Sequence, residues 1–167
     1  MSSGDHLRLD DQLCFALYAA ANAITRSYAP LLGQIDLTYP QYLVMLVLWQ
    51  DGTSTVSAIA KRLELTPNSV TPLLDRLEKS GFVERMRNSE DRRVIHVRLS
   101  ERGMALEAVA ADAQALVQCR TGLSDTPLAE LREQLRSLSA QLFKNESRTI
   151  EEIRREEAAV LDGPQKP

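Results

Sequence analysis

The chain has 167 residues, a length typical of one domain, or of one domain with an added dimerisation element. Its hydrophobic share of 44% and charged share of 26% are close to those of ordinary globular proteins, so neither a disordered chain nor a membrane protein is indicated. The formal net charge of −3, taken alone, argues against a nucleic-acid-binding protein.

Neither a membrane segment nor a metal site is predicted. The longest strongly apolar stretch, residues 42–49, is far shorter than the roughly 20 residues of a membrane-spanning helix. Charged residues interrupt every candidate apolar run at the N-terminus, so we expect no signal peptide and a cytoplasmic protein. Because the two cysteines are far apart and the chain has two histidines, neither a disulfide scaffold nor a zinc site is expected, and no cofactor is predicted.

The charge is distributed unevenly along the chain. Residues 1–52 and 101–167 each carry a net charge of −3, whereas residues 53–100 carry +3. Such an asymmetry indicates a charged partner. A basic segment between acidic flanks can bind phosphate groups locally, while the flanks limit unspecific attachment.

Two helices are predicted before this basic segment. Asp10 and Asp11 cap the first, whose apolar residues recur at helical spacing until Pro30 ends it. The second, residues 41–50, begins after Thr38 and is apolar nearly all round, so we expect it to be fully buried.

Two short capped helices within the basic segment predict a helix-turn-helix. Thr55 caps residues 56–63, and Thr66 caps the second helix, residues 66–80. The second is the candidate recognition helix. Pro72 lies inside it and is expected to disturb it, because proline removes one backbone donor.

A small β-wing and two further helices complete the predicted elements. Residues 82–87 and 93–99 form strands, with residues 88–92 as the hairpin loop between them. One long alanine-rich helix, residues 104–119, follows. The last helix starts at Thr126, and its leucines recur in steps of three and four, a coiled-coil-like seam.

Together these elements predict a mainly α-helical protein with a small β-wing: a winged helix-turn-helix between N- and C-terminal dimerisation helices. Residues 1–35 form the N-terminal helix, 36–100 the DNA-binding region and 101–167 the C-terminal helices. A domain this small cannot cover the apolar faces of the terminal helices, so we expect a homodimer. Two copies would place two recognition helices about one turn of double-stranded DNA apart, matching a palindromic operator.

Candidate DNA contacts lie near the start of the recognition helix, further along it, and at the tip of the wing. Hydroxyl, amide and guanidinium groups can reach base edges or phosphates, and a helix N-terminus itself favours phosphate. For each residue the alternative is a capping or simply solvated side chain. The candidates are Thr66, Asn68, Ser69, Thr71, Arg76, Arg92 and Arg93.

The two cysteines permit redox chemistry. Cys14 lies near the positive end of the first helix dipole, which favours the thiolate, the form that attacks peroxide. Cys119 is a candidate resolving thiol near the end of a later helix. The alternative for both is a small buried side chain. From the pattern alone, Tyr28 and Tyr39 are core or interface aromatics.

Four segments resemble the MarR family of transcriptional regulators: residues 11–18 (DQLCFALY), 37–49 (LTYPQYLVMLVLW), 71–78 (TPLLDRLE) and 91–93 (DRR). Within that family they are similar to the organic hydroperoxide sensors of the OhrR type, in their two-cysteine branch. The resemblance implies a dimeric winged-helix repressor that leaves its operator when a cysteine near the N-terminus is oxidised. It also implies that a proline within the third segment is a feature of this branch.

The resemblance also assigns roles to individual residues. It implies that Cys14 is the oxidised cysteine and that Tyr28 and Tyr39 hydrogen-bond and orient its sulfur. It implies that Arg93 is a wing arginine in the minor groove. It further implies that Cys119 of the second subunit resolves the sulfenic acid, which gives an intersubunit disulfide.

We therefore expect a repressor that organic hydroperoxide releases from DNA, and not an enzyme. Three alternatives stay open. The first is a MarR-type repressor released by a small phenolic ligand, in which Cys14 is only a packing residue. The second is a thiol peroxidase that turns over hydroperoxide at Cys14, and the third is a helical adaptor with no role on DNA.

Overall fold

The computed structural model describes residues 8–87, 94–145 and 152. The chain divides into two compact units, one ending at Thr121 and the other beginning at Gly122. Its elements within the described ranges are α1 (Leu13–Leu32), α2 (Tyr39–Asp51), β1 (Ser54–Thr55), α3 (Val56–Arg62), α4 (Pro67–Lys79), β2 (Val83–Arg87), β3 (Ile95–Leu99), α5 (Glu101–Ala105), α6 (Glu107–Arg120) and α7 (Asp125–Asn145). The predicted fold class, mainly α with a small β-wing, is confirmed.

Helix α2 lies at the centre of the first unit and is largely buried, but not fully as its apolar composition predicts: Leu43, Leu46 and Trp49 are half-buried and Gln50 is exposed. Its N-terminus carries a capping box, in which the Thr38 backbone N–H donates to the Gln41 side chain over 2.8 Å. Side chains of α1, α3, α4, β2, β3 and α6 complete the core around it. The fully buried members include Leu32, Met45 and Leu74.

Two predicted details of the first helix are wrong. Asp10 and Asp11 lie in a separate 3-10 turn, and the residue that precedes α1 is Gln12. The helix also continues through Pro30 to Leu32. Proline removes one hydrogen bond, but here it falls in the last turn, which the buried side chain of Leu32 holds against the core.

The predicted helix-turn-helix is confirmed. The Thr55 hydroxyl accepts the Ala58 N–H over 3.1 Å at the start of α3, and Thr66 caps α4 in the same way. The disturbance expected at Pro72 is absent, because α4 is continuous through it. Pro72 is exposed, so water can bond the one carbonyl that lacks its helical donor, while the buried face of α4 keeps its packing.

The wing is an antiparallel pair, β2 and β3, in which Val83 pairs with Leu99 and Arg85 with Val97. The hairpin loop predicted at residues 88–92, and residue 93 of the second predicted strand, lie outside the described residues. The short strand β1 pairs with the other edge of β3, giving the order β1-β3-β2. We did not predict β1, because two residues are too few to show an alternating pattern.

The long helix predicted after the wing is two helices, α5 and α6, with a break at Leu106. In a continuous helix the carbonyl of Gly103 would accept the N–H of Glu107. Here that carbonyl accepts the indole N–H of Trp49 over 3.0 Å. A tertiary hydrogen bond thus coincides with the break, which local helix propensity could not indicate.

The second unit contains α7, which confirms the predicted leucine-rich helix. No residue within Asp125–Asn145 is buried, and Leu131, Leu135 and Leu142 are exposed. No single described helix is long and apolar enough to cross a membrane; α1 with its following turn and α2 pass that test only as a pair bent by 73°.

We predict that Gly103→Ala destabilises the protein. A Cβ atom on Gly103 would collide with the carbonyl oxygen of Phe82, and it would lie 3.3 Å from a methyl group of Leu99. Relieving this overlap requires a backbone shift, so we expect the free energy of unfolding to fall by about 2 kcal/mol or more in urea titrations. Gly33→Ala is the matched control, because Gly33 has helical backbone angles and open space around its Cα. A loss in the control as large as that in Gly103→Ala would contradict this explanation.

Candidate nucleic-acid interface and cysteine site

The start of α4 presents four polar side chains to solvent, as predicted: Thr66, Asn68, Ser69 and Thr71 are all exposed. The hydroxyls of Thr66 and Ser69 hydrogen-bond each other over 2.9 Å, and the Thr71 hydroxyl donates to the Pro67 carbonyl. The amide of Asn68 makes no hydrogen bond to another described residue. It is therefore the side chain of this group with the most donors and acceptors available for a base edge.

Further along α4, two cations face solvent without an ion pair to a described residue. They are Arg76 and Lys79, of which only Arg76 is among the predicted DNA contacts. Some other cations of the winged helix are paired; for example, Arg62 lies 3.5 Å from Asp51. The guanidinium of Arg76 is thus available for phosphate, whereas that of Arg62 is already in a surface ion pair.

Arg85 is a residue of this region that our sequence reasoning did not single out. Its guanidinium lies 2.6 Å from a carboxylate oxygen of Asp75 and 3.7 Å from one of Glu78, and it donates to the Thr71 carbonyl over 3.2 Å. All three partners belong to α4, so β2 and the recognition helix are tied together by one side chain. The only signal for Arg85 in the sequence was its position within the basic segment, residues 53–100. The wing residues Arg92 and Arg93 lie outside the described residues and stay predictions.

Cys14 is the second residue of α1 and is exposed, as is Cys119 near the end of α6. Both thiols are free. Large apolar side chains on the first turns of α1 are also exposed, including Leu13 and Tyr18, the latter with 67% of its surface accessible. The alternative of Cys14 as a buried packing residue therefore does not hold within one chain.

The structure brings the two predicted tyrosines together. The ring centroids of Tyr28 and Tyr39 are 5.2 Å apart, and Tyr42 lies 5.3 Å from Tyr28 and 6.1 Å from Tyr39. Burial raises the pKa of Tyr28, which a hydrogen bond with Tyr42 partly offsets, and burial also raises the pKa of Tyr39. For Tyr42, burial and the neighbouring Tyr28 raise the pKa strongly. At neutral pH these phenols are hydrogen-bond donors.

Within one chain, neither the tyrosines nor Cys119 lie at Cys14. Fourteen residues separate Cys14 from Tyr28 in one helix, which corresponds to roughly 21 Å at 1.5 Å per residue. The Arg120 side chain donates to the Ser27 carbonyl over 3.3 Å, so the residue after Cys119 contacts the far end of α1. A disulfide needs Cα atoms within about 7 Å. Joining the two thiols of one chain would therefore require α1 or α6 to move.

No cluster of three or more His, Cys, Asp or Glu side chains that could hold a metal ion occurs in the part of the chain that the structure describes.

Comparisons with known proteins agree with this architecture. Residues 37–95 match the MarR family model. The organic hydroperoxide resistance transcriptional regulator of Bacillus subtilis (strain 168) is 38% identical over 140 residues, which cover 84% of this chain and 95% of that protein.

Two solved structures of AbfR are also similar. That of reduced AbfR bound to DNA is 31% identical with a TM-score of 0.70, covering 85% of this chain and 99% of that chain. That of disulfide-formed AbfR is 32% identical with a TM-score of 0.58, covering 84% and 93%.

These relatives are transcriptional regulators and not enzymes, so the thiol peroxidase alternative is not supported. The adaptor alternative fails as well, because the helix-turn-helix and the similarity to a DNA-bound regulator both assign a role on DNA. Identity of 38% over most of both chains, together with the winged helix-turn-helix, means that this chain belongs to the MarR family of DNA-binding transcriptional regulators.

Proposed function

We propose that the protein is a cytoplasmic, homodimeric repressor that binds a palindromic operator when reduced and releases it when organic hydroperoxide oxidises Cys14. The observation that carries this proposal is the exposed Cys14 on a helix whose apolar side chains are also uncovered. Two relatives support it: one is an organic hydroperoxide resistance transcriptional regulator, and AbfR was solved in reduced and disulfide forms.

A second copy of the chain accounts for the uncovered apolar surface. Along α1 and α6, Phe15, Ile24, Val109 and Leu116 are exposed, an arrangement that is unfavourable in water unless another surface covers it. A partner subunit would bury these residues. It would also supply the tyrosines and the second cysteine that lie too far from Cys14 within one chain.

The proposed chemistry begins at the Cys14 sulfur. The thiolate attacks the terminal oxygen of the hydroperoxide, the O–O bond breaks, and the alkoxide leaves and takes up a proton as an alcohol. Hydroxyls of Tyr28 and Tyr39 of the second subunit donate hydrogen bonds to the sulfur, which their raised pKa values favour because the phenols stay protonated. The thiol of Cys119 then attacks the sulfenic acid sulfur, which forms the disulfide and releases water.

Release of DNA follows from geometry. A disulfide between α1 of one subunit and α6 of the other would pull together two helices that frame the core under the winged helix. Because packed cores deform little, the separation of the two recognition helices would change. If one recognition helix no longer aligns with its half-site, several salt-sensitive phosphate contacts are lost at once, so the affinity for the operator falls by orders of magnitude.

The first test combines oxidation with DNA binding. We expect stoichiometric cumene hydroperoxide to give a disulfide-linked dimer on a non-reducing gel and to release a duplex taken from upstream of the protein's own gene. Cys14→Ser should abolish both effects. Cys119→Ser should abolish the disulfide dimer while leaving oxidation of Cys14 detectable with a sulfenic acid probe.

Both cysteine variants should bind the duplex like the wild type under reducing conditions, which controls for folding. If peroxide releases DNA from Cys14→Ser as well, the redox mechanism is wrong. Release by a small phenolic compound, with no response to peroxide, would favour the ligand-responsive repressor instead.

A second test concerns the DNA-binding face. We predict that Arg76→Gln weakens binding to specific and unrelated duplexes by a similar factor and reduces the slope of log K against log salt by about 0.9, because one phosphate contact is lost. Arg26→Gln on α1 is a control outside the winged helix and should change neither quantity. An unchanged salt slope in Arg76→Gln would show that this side chain does not contact phosphate.

A further inference from the structure

The recognition helix carries two acidic side chains beside its basic ones, and this raises an electrostatic problem. Asp75 and Glu78 lie on α4 next to Arg76 and Lys79, and both carboxylates are partly exposed. On a helix that approaches DNA, each uncompensated carboxylate repels the phosphate backbone. Some group must offset these charges if α4 is to bind with its full affinity.

Arg85 is the one described cation placed to do so. Its Nη1 atom contacts both carboxylates, at 2.6 Å from Asp75 and 3.7 Å from Glu78, while Nη2 donates to the Thr71 carbonyl. Residues 71, 75 and 78 follow the i, i+4, i+7 spacing of one helix face. The two Nη atoms therefore contact residues over about two turns of α4. One of these residues, Thr71, is a predicted DNA contact.

The burial of Arg85 indicates that its role is internal. Its side chain is 22% exposed, against 56% for Asp75 and 43% for Glu78. Its Nε atom is buried without a hydrogen-bond partner among the described residues, which costs stability. The Nη atoms of Arg85 contact α4, and its Nε atom is buried. The planar guanidinium is therefore oriented toward the helix and is not free to extend to DNA.

We propose that Arg85 is a positioning residue for DNA recognition, which fixes the wing strand β2 against α4 and neutralises Asp75 and Glu78 without contacting DNA itself. Because Arg85 pairs in register with Val97 of β3, the tie extends to both strands of the wing. One side chain then sets the angle between the helix that enters the major groove and the hairpin beside it. This inference rests on the DNA binding by α4 in the proposed function, but not on the redox switch.

The test compares Arg85→Gln and Arg85→Lys with Arg98→Gln in the fully reduced protein. Arg98 is a matched control, because it forms an ion pair with Glu84 on the same sheet, over 2.7 Å, and has no hydrogen bond or ion pair to α4 among the described residues. Binding is titrated with the duplex from upstream of the protein's own gene and with a scrambled duplex. Circular dichroism and thermal unfolding establish that each variant is folded.

We expect Arg85→Gln to weaken specific binding by about tenfold, the scale of losing one good interface contact. Arg98→Gln should change it by about twofold or less, as for an exposed ion pair. Arg85→Lys should fall between them, because lysine keeps the charge but loses the planar fork. Adding Asp75→Asn and Glu78→Gln to Arg85→Gln should regain about threefold, because two repulsive charges are removed.

Recovery in the triple variant is the readout that a merely structural role would not produce, since the added substitutions remove only negative charge and restore no contact between β2 and α4. Equal affinities of Arg85→Gln and Arg98→Gln would overturn the proposal. A salt slope reduced by about 0.9 without recovery in the triple variant would also overturn it, because that is the signature of a direct phosphate contact. Failure of the wild type to bind the duplex would overturn the proposed function together with this inference.

Discussion

At Gly103 three parts of the first unit meet with no room for a side chain. Its carbonyl accepts the indole N–H of Trp49 from α2, and its Cα faces the carbonyl of Phe82, just before β2. The neighbouring Ser100 hydroxyl donates to the Gly81 carbonyl over 2.6 Å and also caps α5. The base of the wing, the central helix and the start of the C-terminal helices are therefore fixed relative to one another by one close contact.

An unbroken set of aromatic contacts leads from this junction to the tyrosine cluster. Trp49 lies 6.3 Å from Tyr42, whose ring in turn contacts Tyr28 and Tyr39. All four side chains belong to the buried or partly buried core of the first unit. The tyrosines that we propose to bind the oxidised sulfur are thus joined to the base of the wing by close-packed rings and not by a flexible linker. Close packing transmits small displacements, because it cannot absorb them.

The polar groups of the DNA-binding face have different roles. Hydroxyls at the start of α4 are engaged in local capping bonds, whereas Asn68 and Arg76 have no such partners among the described residues. The acidic side chains of the same helix, Asp75 and Glu78, form ion pairs with Arg85. A chain with a net charge of −3 can thus present a locally basic surface, because the described carboxylates Asp75, Glu78 and Glu84 beside it are paired with arginines.

The sequence alone determined the order of the elements, the helix-turn-helix, the buried α2 and the family, because caps, apolar periodicity and short motifs are local signals. Thr38, Thr55 and Thr66 mark helix starts that the structure confirms. Only the tertiary structure decided the rest: the break between α5 and α6, the strand β1, the continuity of α4 through Pro72, the meeting of Tyr28 with Tyr39, and the tie from Arg85 to α4. Each depends on contacts between residues distant in the chain or, at Pro72, on exposure to solvent, and no pattern of neighbouring residues records either.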